Sequence, residues 1–338
     1  MKAPLHRKHL PFLATTLTFV LLYGAAGALY EGFFSTRVAA SLLADNAFLG
    51  IAALGMTFVI LSGGIDLSVG AALAFTTIFV ATAIDSCGWH PLAAMAAAMA
   101  LGAGFGAAMG WLIHAFAMPP FLVTLGGMFF ARGMAFIVNM QSLGIGHEFH
   151  SRLQSLRAPL IPLHGWLSGM GLAMPRQAYL PATALIFLGL FACLFAVAHM
   201  TRFGRAVYAL GGSEESALLM GVPVGRTKVV IYALNGFCSA LAGVVATIYM
   251  GSGNPAMGVG LELDAIAAVV IGGTLLTGGS GYVAGTFVGV LIFGTIKMAL
   301  IFDGRLNSWW LRIAIGALLL LFILLQKMVS KGSANRES

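Results

Sequence analysis

Five polar residues that could do chemistry stand inside otherwise apolar stretches: Asp45 with Asn46 beside it, Arg132, Asp264 and Lys297. A charge near the middle of a bilayer costs several kcal/mol unless it is paired or hydrated, so each needs a compensating partner. Two arrangements supply one. The groups can line a polar cavity for a hydrophilic solute, or they can form buried ion pairs that fix helix packing. Asp45 or Asp264 could also act as the proton or sodium site of a secondary transporter driven by an ion gradient.

A further carboxylate, Asp66, sits in Ser62-Gly63-Gly64-Ile65-Asp66-Leu67-Ser68 between two apolar stretches. With Ser68 it is placed to cap the helix that follows, whose first amides lack intrahelical partners. A further candidate segment runs from Arg202 to Val222. There Ser213 is a candidate N-cap, Glu214 and Glu215 suit a first turn, and Gly221 stands just past the end, so one short amphipathic helix is predicted. Held between spans by glycine hinges, such a helix can dock on another protein or simply lie in water.

No catalytic set accompanies these groups. The sequence has no H-E-x-x-H and no G-x-S-x-G, and His90, His114, His147, His164 and His199 are scattered. Gly221 to Lys228 has the wrong spacing and order for a phosphate-binding loop, so any ATP and Mg must be held by another chain. Cys193 and Cys238 lie in apolar stretches, where a thiol behaves as a small hydrophobe, and neither a disulfide nor a metal site is expected.

The elements that carry these residues follow from composition. Of 338 residues, 59% are hydrophobic and 9% charged, whereas a soluble domain needs roughly a quarter charged to cover its surface. The expected fold is therefore an all-α integral membrane bundle forming a single domain over residues 1–338. The net charge of +7 comes from separate clusters beside apolar stretches, which marks topology and not a nucleic-acid surface. Because about 20 apolar residues cross the hydrocarbon core, about ten spans are predicted. They cover 10–30, 41–61, 67–84, 91–116, 119–140, 178–199, 229–250, 263–277, 282–301 and 310–327. The eighth is short, so the count is eight to ten.

Starting inside, this order places the N-terminus with Lys2, Arg7 and Lys8, the segment 200–228 with Arg202, Arg205, Arg226 and Lys228, and the tail 328–338 with Lys331 and Arg336 in the cytoplasm. The external segment 141–177, with Arg152, Arg157 and Arg176, goes against the positive-inside rule. Ala25, Ala26 and Ala28 after the first apolar run resemble a leader cleavage site, but the parity of the spans favours a retained helix. Trp89, Trp309 and Trp310 fall at the outer face and Trp111 near the inner one, where Trp309-Trp310 serves as an interface anchor or a sugar-stacking platform.

Two patterns concern packing. Ile51-Ala52-Ala53 leading to Leu61-Ser62-Gly63-Gly64 and Gly70 recurs as Ile266-Ala267-Ala268 leading to Leu276-Thr277-Gly278-Gly279 and Gly285, a possible parallel repeat. Gly102, Gly106 and Gly110, and likewise Gly281, Gly285 and Gly289, lie four apart and predict close helix contacts.

Three segments make the chain recognisable: Gly55 to Gly70, Thr201-Arg202-Phe203-Gly204 with the run to Gly221, and Val269-Val270-Ile271-Gly272-Gly273-Thr274. Over nearly its whole length the chain resembles the ribose, xylose and galactose ABC permease family. Within it, Thr36-Arg37-Val38, Asp45 to Gly50 and Ser308-Trp309-Trp310 are most similar to permeases of galactofuranose importers. The resemblance implies a bacterial inner-membrane protein with a homologous but different permease as partner, a cytoplasmic ABC ATPase and a periplasmic sugar-binding protein. It also implies that 200–228 couples to the ATPase, through Gly204, Arg205, Ala209, Gly211, Gly212, Ser213, Ala217 and Gly221. Members often carry Asn where Ser213 stands and Ala where Ser216 stands.

Overall fold

The computed structural model describes residues 10–159, 179–305, 307 and 309–334. Lys2, Arg7, Lys8, His164, Arg176 and Arg336 lie outside the described residues. Helix α1 (Leu10–Leu29) leads to a broken pair, α2 (Thr36–Asp45) and α3 (Ala47–Leu61), followed by α4 (Val69–Asp85), α5 (Pro91–Ala115) and α6 (Pro120–Val138). A short helix α7 (Glu148–Ser155) precedes α8 (Ala182–Met200), α9 (Arg202–Gly212) and α10 (Glu214–Leu219). The chain closes with α11 (Val224–Met250), α12 (Leu261–Ile271), α13 (Val283–Asp303) and α14 (Trp309–Ala334). Two small antiparallel ribbons pair β1 (Leu143–Gly144) with β4 (Ser252–Gly253) and β2 (Arg157–Pro159) with β3 (Tyr179–Pro181).

Sequence chemistry sets several boundaries. Ser35 accepts from the Val38 amide to start α2, and Pro91 fixes the first turn of α5 behind His90, whose ring nitrogen accepts from the Leu92 amide. Gly251 and Gly304, with φ of 68° and 63°, end α11 and α13 in the left-handed region that favours glycine.

The successive segments alternate between two ends of the bundle, one carrying Leu61 and Gly278, the other Asp85 and Met250. Six helices, α1, α5, α6, α8, α11 and α13, are long and apolar enough to cross a membrane. The pair α2–α3, bent by 55°, makes up to seven if the two helices are one span. On that measure the described residues fall short of ten spans, and the cause is local. Helix α4 has 17 residues, α12 only 11, and the apolar part of α14 covers Trp309–Leu324. At 1.5 Å per residue α12 reaches about 16 Å, roughly half the hydrocarbon core, with a non-helical approach over residues 254–260. Helix α14 runs on through residues 328–334.

Close glycine contacts hold the centre. Helices α5 and α11 pack antiparallel, with Gly102 against the Gly236 carbonyl, Gly106 against the Tyr232 carbonyl and Gly110 against Val229, so a Cβ at any of the three would collide. Gly285 and Gly289 pack in the same way on Gly272 and Ala268 of α12. The two copies of the repeat end alike: Gly63 and Gly278 adopt φ of 82° and 86°, and the Gly279 amide donates to the Leu61 carbonyl at 2.9 Å.

Candidate translocation site

Four of the five intramembrane polar residues come together. Asp45 and Asn46 at the bend between α2 and α3, Asp264 in the first turn of α12, and Lys297 of α13 line one cavity of about 430 Å³. Arg312 and Trp309 at the start of α14 complete it, with the guanidinium carbon 5.6 Å from the Trp309 ring centroid. Among the described residues, no contact ion pair joins Asp45, Asp264, Lys297 or Arg312. The break at Asn46, whose Nδ2 donates to the Leu42 carbonyl at 2.9 Å, turns Asp45 out of the helix row. There its Oδ1 accepts from the Tyr249 hydroxyl at 2.9 Å. Tyr249 also borders a larger cavity of about 870 Å³ with Arg37, Gln154 and Tyr179. Asp45 thus stands between the two cavities. Nothing in the sequence singles out Tyr249 or Arg312, because each lies at the rim of a predicted span where a polar residue is ordinary.

Arg132 does not join them, and among the described residues no carboxylate is in ion-pair contact with it, though Glu262 lies near enough to act on its charge. Its Nη1 donates to the carbonyls of Pro255 at 3.0 Å and Met257 at 2.6 Å. The reason is the non-helical approach to α12, whose carbonyls have no helical partners and take the guanidinium instead. Replacing Arg132 by Ala is therefore expected to cost about 1.5–3 kcal/mol per lost bond and to lower the monodisperse yield in detergent several-fold. Neutralising Asp45 or Asp264 as well should give no recovery, and recovery would restore the ion-pair arrangement.

Asp66 is 1% exposed and works inside the bundle. Its Oδ1 accepts from the Ser68 amide at 2.8 Å and hydroxyl at 2.7 Å, and its Oδ2 accepts from Asn235 Nδ2 of α11 at 2.8 Å. The expected cap is thus only partly present, because Ser68 itself makes no side-chain cap bond to α4. The carboxylate ties the turn after α3 to α11, a link that sequence spacing cannot reveal.

The segment after α8 forms two helices in place of the single one predicted. Thr201 Oγ1 accepts from the Gly204 amide to start α9, and Ser213 Oγ accepts from the Ser216 amide at 3.2 Å to start α10. Gly221, with φ of 79°, follows α10 as expected. Gly204 and Gly211 are packing sites and not hinges, since a Cβ would strike the Val197 and Ala198 carbonyls at one and Leu61 and Gly279 at the other. Ala209 is half-buried, and Ala217 is fully buried against the chain's own core. Arg205, Gly212, Ser213 and Gly221 are exposed. Tyr208 donates to the Gly281 carbonyl at 3.0 Å, and burial beside Tyr282 pushes its hydroxyl up to about 12, so it stays a donor. The Glu214–Lys228 pair at 2.6 Å holds α10 to α11. Leu218, Leu219 and Met220 are left 64%, 85% and 69% exposed. These three adjacent apolar side chains, largely uncovered by the rest of the chain, carry no signal in the sequence that marks them out.

Residues 38–323 match the family described as branched-chain amino acid transport system / permease component. The chain belongs to this permease family. Its relatives include the inner membrane ABC transporter permease protein YjfF of Escherichia coli, 49% identical over 98% of this chain and 96% of that one. The fructose import permease FruG of Bifidobacterium longum is 38% identical, covering 97% and 95%. The ribose import permease RbsC of Escherichia coli is 35% identical over 91% of each. No solved structure matches the chain. The permease is therefore a sugar-type ABC importer subunit and a multi-pass inner membrane protein.

Proposed function

We propose that this permease carries galactofuranose or a related monosaccharide in an ATP-driven importer, together with a homologous but different permease, a cytoplasmic ABC ATPase and a periplasmic binding protein. The observation that carries the reading is the cavity of about 430 Å³ ringed by Asp45, Asp264, Lys297 and Arg312 without contact ion pairs. Its size falls within the roughly 300–1,000 Å³ of small-molecule sites. Two acids, two bases and an indole face supply hydrogen-bond donors, acceptors and a stacking surface while keeping the lining electrically balanced, which suits a neutral polyol. Galactofuranose follows from the resemblance at Thr36-Arg37-Val38, Asp45 to Gly50 and Ser308-Trp309-Trp310.

In this reading the end carrying Leu61, the N-terminus, 200–228 and the tail 328–338 are cytoplasmic, so the cavity opens outward. ATP and Mg act on the partner chain and this chain performs no chemistry. The ion-gradient alternative is not favoured, because the relatives are ABC permeases.

Lys297→Ala and Asp264→Asn test the site in the assembled importer. Losing one charged hydrogen bond to a hydroxyl should raise the half-saturation of uptake about tenfold or more at normal membrane levels. Unchanged uptake kinetics in both variants would remove the cavity from the pathway.

A further inference from the structure

The cavity of about 870 Å³ that Tyr249 borders is walled by the starts of two helices. Ser35, Thr36 and Arg37 bring the N-terminus of α2 to it, and Pro181, Ala182 and Thr183 bring that of α8. The first amides of a helix have no intrahelical partner and carry its partial positive charge. Neither helix has an acidic residue in its first turn, and no side chain caps α8. Arg37 adds a full charge. It is exposed and makes no ion pair among the described residues, and no carboxylate is among those that line the cavity.

The negative groups nearby are already engaged. Helices α11 and α13 end at the cavity through Tyr249 and Phe302, and the carbonyls of Thr247, Tyr249 and Leu300 accept from the Gly251 amide, Gln154 Nε2 and the Gly304 amide. Asp45 accepts from the Tyr249 hydroxyl, and Asp303 accepts from the Tyr30 hydroxyl. Two hydroxyls in the wall are not engaged. Thr36 and Thr183 are 5% and 4% exposed, and neither Oγ1 has a hydrogen-bond partner among the described residues. A buried hydroxyl without a partner is costly, so a pair of them in one wall marks a place where an acceptor is missing. Two helix starts and a guanidinium at the same place suit an anion with several oxygens.

The level of the cavity narrows the choice of anion. Helix α8, with 19 residues, is about 28 Å long, close to the thickness of the hydrocarbon core, so its first turn lies among the headgroups. Phe34 and Leu185, beside the two helix starts, are 58% and 43% exposed and give the opening an apolar border. We propose that this cavity binds a phosphate group between the starts of α2 and α8, with Arg37 as its charged partner. The phosphate belongs to a phospholipid of the adjoining leaflet or is free in solution, since the same donors serve both. The site is separate from the sugar cavity, from which the Tyr249–Asp45 hydrogen bond divides it.

Two probes test this on the delipidated, assembled importer: dioleoylphosphatidylglycerol, followed by native mass spectrometry, and inorganic phosphate, followed by equilibrium dialysis. Arg37→Gln should weaken the first lipid-binding event about tenfold or more, and Thr183→Val should weaken it several-fold. Both changes spare the fold, because Arg37 is exposed and valine at 183 removes a hydroxyl that bonds to nothing. Arg152→Gln is the control for general attraction to a basic surface, since Arg152 is exposed on α7 at the same end and pairs with Glu148. It should leave binding unchanged. If inorganic phosphate alone binds, with the same order of losses, the site takes free phosphate. Absence of binding by either probe, equal affinity of the parent and Arg37→Gln for both, or an equal loss in Arg152→Gln would overturn the proposal.

Discussion

Leu219→Glu is expected to lower sugar uptake and binding-protein-stimulated ATP hydrolysis together by more than tenfold, with normal amounts of the permease in the membrane. Leu218, Leu219 and Met220 form a contiguous exposed apolar patch on a helix capped by Ser213 and pinned by Glu214–Lys228. A central apolar anchor of an interface is worth about 2 kcal/mol or more, roughly thirtyfold in binding. On the proposal that α10 is the contact for the ATPase, a carboxylate at that point loses the burial and must also be desolvated on docking. Folding should tolerate the change, because Leu219 touches little within its own chain. Ala217→Arg behaves differently. Ala217 is completely buried, so a charge there should reduce the folded amount of permease before any question of docking arises. Glu215→Lys, on the exposed side of α10, is the mild control. Normal uptake and ATP hydrolysis in Leu219→Glu would leave α10 an ordinary loop helix.

Asp66→Ala is expected to reduce the folded yield most among single polar changes in the bundle. The substitution strands the Ser68 amide and hydroxyl and the Asn235 side-chain amide, three buried donors, at about 1–3 kcal/mol each. Asp66→Asn should be far milder. Asn235 Oδ1 has no partner in the structure, so turning the Asn235 side chain over lets it accept from the amide nitrogen introduced at position 66, while the remaining oxygen there keeps its bonds to Ser68. Measured as monodisperse protein by size-exclusion chromatography, the Ala variant should fall several-fold and the Asn variant should stay near the parent. Equal loss in the two variants would show that the negative charge itself is needed at this position.

Much of the architecture is legible because bilayer solvation writes directly into the sequence. Apolar runs mark the long helices, and glycines four apart mark the α5–α11 contact. Ser213 and Gly221 mark the ends of α10, as capping chemistry requires. Charges in apolar runs pick out Asp45, Asp264 and Lys297, which do share a cavity. What stays hidden depends on chain breaks and long-range partners. Arg132 follows the same composition rule as Lys297, yet it serves carbonyls that exist only because residues 254–260 are not helical. Length counting does not reveal how short α12 is for that same reason, since an apolar stretch looks alike whether or not its whole length is helical. Gly204 and Gly211 look like hinges because glycine serves flexibility and close approach equally well. Only the carbonyls facing them decide between the two.

Transport of a sugar by this permease under the control of an ATPase held by another chain is tested by uptake of labelled galactofuranose into proteoliposomes. These contain the complete complex, with binding protein outside, ATP inside and no ion gradient. Uptake should require both ATP and binding protein. Lys297→Ala should raise its half-saturation, and Leu219→Glu should lower uptake more than tenfold. Sugar entry driven by a proton or sodium gradient through this chain alone, without ATP, would contradict the importer mechanism.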